Sequence, residues 1–128
     1  MAYTYLITGA TSDVGRTLIE RLLRTAPDSL VLAQGCGDLP KLDALCAEFA
    51  GRIRTFDADL SDRAKVDAFV QQLQDAPAPT HFIHLPALPV VNTKFKAFDQ
   101  ARFDLDMEIE IHSAVRILRA ILPAMTKA

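Results

Sequence analysis

Cysteine is scarce in this 128-residue chain. Only Cys36 and Cys46 occur, without metal-type spacing, so free thiols, buried or idle, are expected rather than a disulfide, a metal site or a nucleophile. Positive charge is not in excess: 14 Lys and Arg against 16 Asp and Glu give a net charge of −2, and nucleic acid is not expected as a partner. No apolar run approaches the ~20 residues of a membrane span. The N-terminus enters a strand directly, without a basic region and cleavage site, so a cytosolic protein that avoids membranes is expected. Solenoid repeats and low-complexity tracts are also missing. What is present is a hydrophobic half of the residues, enough to fill a core, in a length suited to one domain.

The most informative stretch is Tyr3-Thr4-Tyr5-Leu6-Ile7-Thr8-Gly9-Ala10-Thr11-Ser12-Asp13-Val14-Gly15-Arg16. It reads as a β-branched and aromatic strand, a small-residue turn and a helix opening on Val14, Leu18 and Leu22. Gly9 permits a sharp turn off the strand. Gly15, with no Cβ, permits close approach of the helix to the sheet or to a ligand. The free N–H groups at a helix start, with the positive end of its dipole, suit an anion, although such joints also occur wherever a turn is merely tight.

Further along, Ser29–Ala33 is an apolar run suited to a parallel strand covered on both faces. Gln34 to Asp38 reads as a loop, and Pro40 as the first residue of a second helix carrying Leu42, Leu45 and Phe49 and ended by Gly51. Ile53–Phe56 is a third strand. A third helix follows from Ser61 or Asp62 as N-cap, with Val66, Phe69, Val70 and Leu73 on one face and Pro77 and Pro79 beyond it. His81–Leu85 is a fourth strand, and a long helix spans about Asp99 to Met125. Its apolar stripe comprises Met107, Ile111, Ala114, Leu118, Ile121 and Met125, widened by Ile109, Val115, Ile117 and Leu122. Four alternations of strand and helix predict an α/β fold with a parallel sheet wound by right-handed crossovers.

Taken together, these residues resemble the short-chain dehydrogenase/reductase family. Thr8-Gly9-Ala10-Thr11-Ser12-Asp13-Val14-Gly15 is similar to its Thr-Gly-x3-Gly-x-Gly cofactor loop, with Asp13 at the middle glycine. Asp59-Leu60 resembles the acidic residue, and its neighbour, that hold the adenine. His84-Leu85-Pro86-Ala87 stands at the family's Asn-Asn-Ala-Gly and is closer to a divergent His-Leu-Ala-Ala. Phe103-Asp104 through Leu122-Pro123-Ala124-Met125 resembles the family's fourth helix. The resemblance implies a Rossmann-like three-layer parallel sheet of strand order 3-2-1-4, incomplete beside the family's seven strands. All of 1–128 would then be the dinucleotide-binding part of one domain.

It also implies a nicotinamide dinucleotide at the strand ends where the order reverses. Thr8, Gly9, Thr11, Ser12, Asp13, Val14 and Gly15 would cradle the pyrophosphate, Asp59 and Leu60 would hold the adenine, and Ala87 would lie on the ribose side. Facing the pyrophosphate at ~4 Å, the Asp13 carboxylate would be repelled by ~4 kcal/mol per charge pair at an effective dielectric near 20. Capping the helix largely removes that cost, and Asp13 is expected to cap, with weak dinucleotide binding at best. Arg16 would either offset the charge or sit solvated. Asp59 has an alternative as a turn residue before Ser61. Gln34 to Gly37 are neutral and Asp38 comes late, so NAD and NADP are not distinguished.

The family's helical asparagine is replaced by Glu110, which offers no amide N–H. Its catalytic Tyr-x3-Lys does not occur here, since Tyr3 and Tyr5 are the only tyrosines. No catalytic residue is therefore assigned. His81 and His84 point to opposite faces of a strand, so no metal is expected, and His84 reads as a satisfied strand-end side chain. Glu108 and Glu110 turn apart on a helix, and Asp104 and Asp106 read as solvated surface. The implied function is an NAD(P)-dependent oxidoreductase of small carbonyls or alcohols, represented by its cofactor-binding half and inactive alone. A non-catalytic nucleotide-binding or interaction module is the alternative. Homo-oligomerisation is expected through the 99–125 helix.

Overall fold

The computed structural model describes residues 2–90 and 92–127. β1 (Thr4–Thr8), β2 (Leu30–Gly35), β3 (Ile53–Asp57) and β4 (His81–His84) form a parallel sheet in the order β3-β2-β1-β4. The Rossmann-like order expected from the sequence is therefore present. β1 lies between its two neighbours, with Tyr5 opposite Val31 and His81, and Thr8 opposite His84.

Alternation along the strands divides the core into two layers. Tyr5, Ile7, Val31 and Ala33 pack with Ile19 and Leu23 of α1 (Asp13–Thr25) and with Leu42. Leu6, Leu32 and Phe56 pack on the other face with Val66, Phe69 and Leu73 of α3 (Arg63–Leu73) and with Ile117 and Ile121. Both faces of the central strands are thus covered, which explains why β2 reads as a continuous apolar run.

The elements differ from the sequence reading in several places. β2 runs on through Gln34 and Gly35, where the sequence pattern predicts a loop, because Gln34 is held by side-chain bonds to both flanking strand ends. The buried face of α1 is Gly15, Ile19 and Leu23, one residue on from the predicted Val14, Leu18 and Leu22. Leu18 and Leu22 flank it, whereas Val14 is 66 % exposed. The second helix begins as a 3₁₀ turn over Leu39–Leu42 and continues as α2 (Asp43–Glu48). β4 stops at His84, short of Leu85.

The long helix is α4 (Gln100–Met107), a π turn (Glu108–His112) and α5 (Ser113–Thr126), with Pro123 inside α5. Within the π turn the Ser113 N–H reaches back to the Glu108 carbonyl, so the Ile109 carbonyl is released from the helical ladder. The Ser113 hydroxyl and His84 Nε2 take it up instead. The extra residue rotates the last helix relative to a plain 3.6-residue repeat. Ser113 faces the core with Ile117 and Ile121 of the predicted stripe, while Ile111, Val115, Leu118 and Leu122 of that stripe are exposed. No helix among the described residues is long and apolar enough to cross a membrane.

Candidate functional site

The chain leaves β1 through Gly9, whose φ of 66° lies in the left-handed region. A Cβ there would stand 2.6 Å from the Pro86 backbone nitrogen, so the absent side chain lets the β1 turn and the segment after β4 meet. Gly9 N–H donates to Gln34 Oε1 at 2.8 Å, and Gln34 Nε2 donates to the Ala58 carbonyl at 2.7 Å. Gln34 thereby fastens the ends of β1 and β3 to β2.

Helix α1 then opens on Ser12, not Asp13. The Ser12 hydroxyl accepts from Gly15 N–H at 3.0 Å with the backbone at φ −67°, ψ 164°. Asp13 occupies the first helical position, its side chain is 95 % exposed and it pairs with Arg16. The expected Asp13 cap is therefore corrected to Ser12, and Arg16 does partner the Asp13 charge. Gly15 is buried against the preceding turn, where a Cβ would come 2.6 Å from the Ala10 carbonyl oxygen. Its role is helix packing. The N–H groups of Thr11, Asp13 and Val14 have no acceptor among the described residues.

Beside this turn lies an open cleft of about 510 Å³ at the carboxyl ends of the strands. Gly9, Thr11, Ser12, Asp59, Leu60 and Ala87 line it, together with Gln34, Gly35, Cys36, Asp38 and Lys41. Leu105 and Ile109 contribute from the long helix. Of the residues singled out in the sequence, Thr8, Asp13, Val14 and Gly15 do not line the cleft. Thr8 is buried and engages His84 Nδ1 through its hydroxyl at 2.6 Å.

Asp59 both lines the cleft and makes the turn, since Oδ1 accepts from the Ser61 hydroxyl at 2.6 Å and its N–H at 2.9 Å. Those bonds hold its carboxyl below the usual range. Asp62 caps α3 through Ala64 N–H and Lys65 N–H. Cys36 is exposed and Cys46 half-buried, both free. Glu110 is exposed, and Glu108 is held below the usual carboxyl range by Arg63.

His84 Nε2 lies 3.3 Å from the Ile109 carbonyl, which can only accept. Nε2 therefore carries the proton and Nδ1 accepts from the Thr8 hydroxyl. Burial pushes the His84 pKa down, opposed by the carbonyls of Ile109 and Glu110. His81 lies on the opposite face, against the rings of Tyr3 and Tyr5.

The family model for short chain dehydrogenase matches residues 3–128. The chain belongs to the short-chain dehydrogenase family. Over 124 residues it is 27 % identical to a fatty acyl-CoA reductase of Acinetobacter baylyi, covering 95 % of this chain and 42 % of that protein. A short-chain dehydrogenase of Streptomyces avermitilis superposes with a TM-score of 0.87 at 22 % identity, over 99 % of this chain and 46 % of that one. L-Sorbose reductase of Gluconobacter frateurii, solved with NADPH and L-sorbose, gives 0.83 at 18 %, over 98 % and 48 %. The short-chain dehydrogenase chain described here thus spans less than half the length of these relatives. The cleft sits where β1 and β4 diverge from the β1-β2-β3 progression, the position at which doubly wound sheets bind their ligands.

Proposed function

We propose that this chain is the cofactor-seating half of an NAD(P)-dependent oxidoreductase acting on small carbonyls or alcohols, and that it turns over no substrate by itself. The observation that carries the reading is the set of unpartnered N–H groups at the helix start, that of Thr11, which lines the cleft, and those of Asp13 and Val14, which follow Ser12 of its lining; such a set fits an anionic diphosphate. With its carboxylate turned to solvent and paired with Arg16, Asp13 loses most of the repulsion that would oppose such a ligand. Asp59 and Leu60 offer the seat for the base, and Ala87 lies across the cleft from them in sequence and strand order. When bound, the nicotinamide supplies the hydride chemistry. The acid–base group must come from residues outside these 128, since no Tyr-x3-Lys is present.

Calorimetric titration with NADH and NADPH tests the seat. Asp13→Ala keeps the backbone N–H and is expected to change affinity by less than about threefold, well under the factor of ten that 1.4 kcal/mol represents. Asp13→Pro removes the N–H, and the extended backbone of Ser12 accommodates a following proline. It should weaken binding at least about fivefold relative to Asp13→Ala, a loss in the range of one hydrogen bond to a charged group. Equal affinities for the two variants would remove the helix start from the site.

A second reading, a non-catalytic interaction module, is favoured by the exposed apolar side chains of Ile111, Val115, Leu118 and Leu122 on the long helix. Pairing of that helix with a second copy is compatible with either reading.

A further inference from the structure

Gln34 sits near the end of β2, between two strands that are not neighbours in the sheet. β1 on one side leads into the helix-start turn, and β3 on the other leads into the Asp59 turn. Among the described residues no ladder bond sets the separation of those turns. Main-chain bonds tie each of them to β2 separately: Ala10 N–H donates to the Gln34 carbonyl at 2.9 Å, and Ala58 N–H to the Gly35 carbonyl at 3.0 Å. The Gln34 side chain alone, among the described residues, bonds to both, with Gly9 N–H on its oxygen and the Ala58 carbonyl on its nitrogen. The Gly9 N–H can only donate and the Ala58 carbonyl can only accept, so the orientation of the amide is dictated. Gln34 is 3 % exposed, which leaves little water to replace a lost partner. Thr11 stands two positions after Gly9 and Asp59 one after Ala58, and both line the cleft.

We propose that Gln34 is a positioning residue for the dinucleotide, its amide setting the separation between the turn that takes the diphosphate and the turn that takes the base. The proposal rests on the dinucleotide reading above and gives Gln34 no contact with the ligand. A ligand that spans both turns gains from a fixed separation, because its second contact is then made without further ordering of the protein. Shape alone does not supply this. A charged carboxylate of the same outline accepts at both ends and leaves the Ala58 carbonyl facing an oxygen, whereas a protonated one accepts from Gly9 and donates to Ala58. Methionine fills similar space and bonds to neither.

Equilibrium titration of wild type, Gln34→Glu and Gln34→Met with the oxidised forms of NAD and NADP, from about pH 5.5 to about pH 9, tests this. The nucleotide that wild type binds more tightly is the probe, and urea unfolding at each pH shows which variants are folded. Gln34→Met should bind at least about fivefold more weakly than wild type at every pH. Gln34→Glu should lose at least about tenfold at the alkaline end, then return in acid to within about threefold of wild type and above Gln34→Met. Cys36, Asp38, Lys41 and Asp59 in the cleft and His84 beyond β1 are common to all three proteins, so their titration cancels in the ratios. Repulsion of the diphosphate by the new charge alone would leave Gln34→Met at wild-type affinity. That result overturns the assignment and leaves the seat intact, as does a loss in Gln34→Glu that persists in acid or a Gln34→Glu that matches wild type throughout. A Gln34→Glu that does not fold leaves the decision to Gln34→Met. If neither variant folds, Gln34 belongs to the sheet and not to the site, and the assignment falls. A wild type that binds neither nucleotide overturns the seat and this proposal with it.

Discussion

A methyl group on Gly15 would press on the Ala10 carbonyl, and one on Gly9 would press on the Pro86 backbone in a left-handed conformation. Backbone atoms cannot swing aside as a side-chain end can. Gly15→Ala should destabilise by about 1–3 kcal/mol, the usual range for overpacking. Gly9→Ala should cost about 1–2 kcal/mol more for its φ. Urea unfolding of the two variants reads both numbers, and the order Gly9 above Gly15 is the sharper expectation.

Both glycines were legible because only a glycine explains that position between a strand and a helix. The cap was not, since Ser12 and Asp13 are adjacent and both are good caps. The choice falls to Ser12 because its N–H and hydroxyl also close back onto the Gly9 carbonyl. Asp38 and Gln34 were illegible as site residues for a similar reason. Their parts in the cleft depend on contacts with Thr11, Gly9 and Ala58, 24 to 27 residues away in the chain.

At the scale of elements, the π turn and β4 are joined through one ring, His84, and that junction responds to pH. The pKa of His84 is lowered in the folded chain from its ordinary value near 6.5. The unfolded chain therefore takes up its proton first as pH falls. Stability tied to His84 is complete above that ordinary value and is lost progressively below it, down to the lowered folded value. Urea midpoints measured from pH 8 to 5 should fall more steeply for the wild type than for His84→Gln in that acid window. Parallel curves would mean that the ring is not buried neutral.

The same π turn decides which side of the last helix is core. Periodicity alone predicted a wide stripe that held Ile117 and Ile121 but also Ile111, Val115, Leu118 and Leu122, and the structure narrows the buried face to Ser113, Ile117 and Ile121. A sequence cannot announce the π turn, because the Ile109 carbonyl is drawn out of the ladder by His84, 25 residues earlier. Ile117→Ala should cost about 2–5 kcal/mol, the range for a buried large-to-small change. Leu118→Ala, exposed by 37 %, should cost less than about half of that. Denaturant midpoints for the pair test the face assignment directly.

For the molecule as a whole, the strand order was readable because alternating strands and helices admit few parallel topologies, and the resemblance carried by Thr8–Gly15, Asp59-Leu60 and the long helix selected one of them. What the topology leaves uncovered also matters. Among the described residues β4 pairs only with β1, so its outer edge presents unpaired N–H and carbonyl groups. On the neighbouring helix Ile111, Val115 and Leu122 are each about half exposed or more. Relatives about twice as long have further chain with which to cover such surfaces. A chain of this length that leaves them open should associate, and light scattering of the purified protein is expected to give a mass above 14.1 kDa. The double substitution Val115→Glu and Leu122→Glu places charge on the exposed face without touching Ile117 or Ile121, so it should lower that mass while preserving the denaturant midpoint. A wild-type chain that scatters as a stable monomer would remove the helix as an association surface. If the mass stays high in the double variant, association runs through the β4 edge instead, and a proline on that strand becomes the substitution that separates the copies.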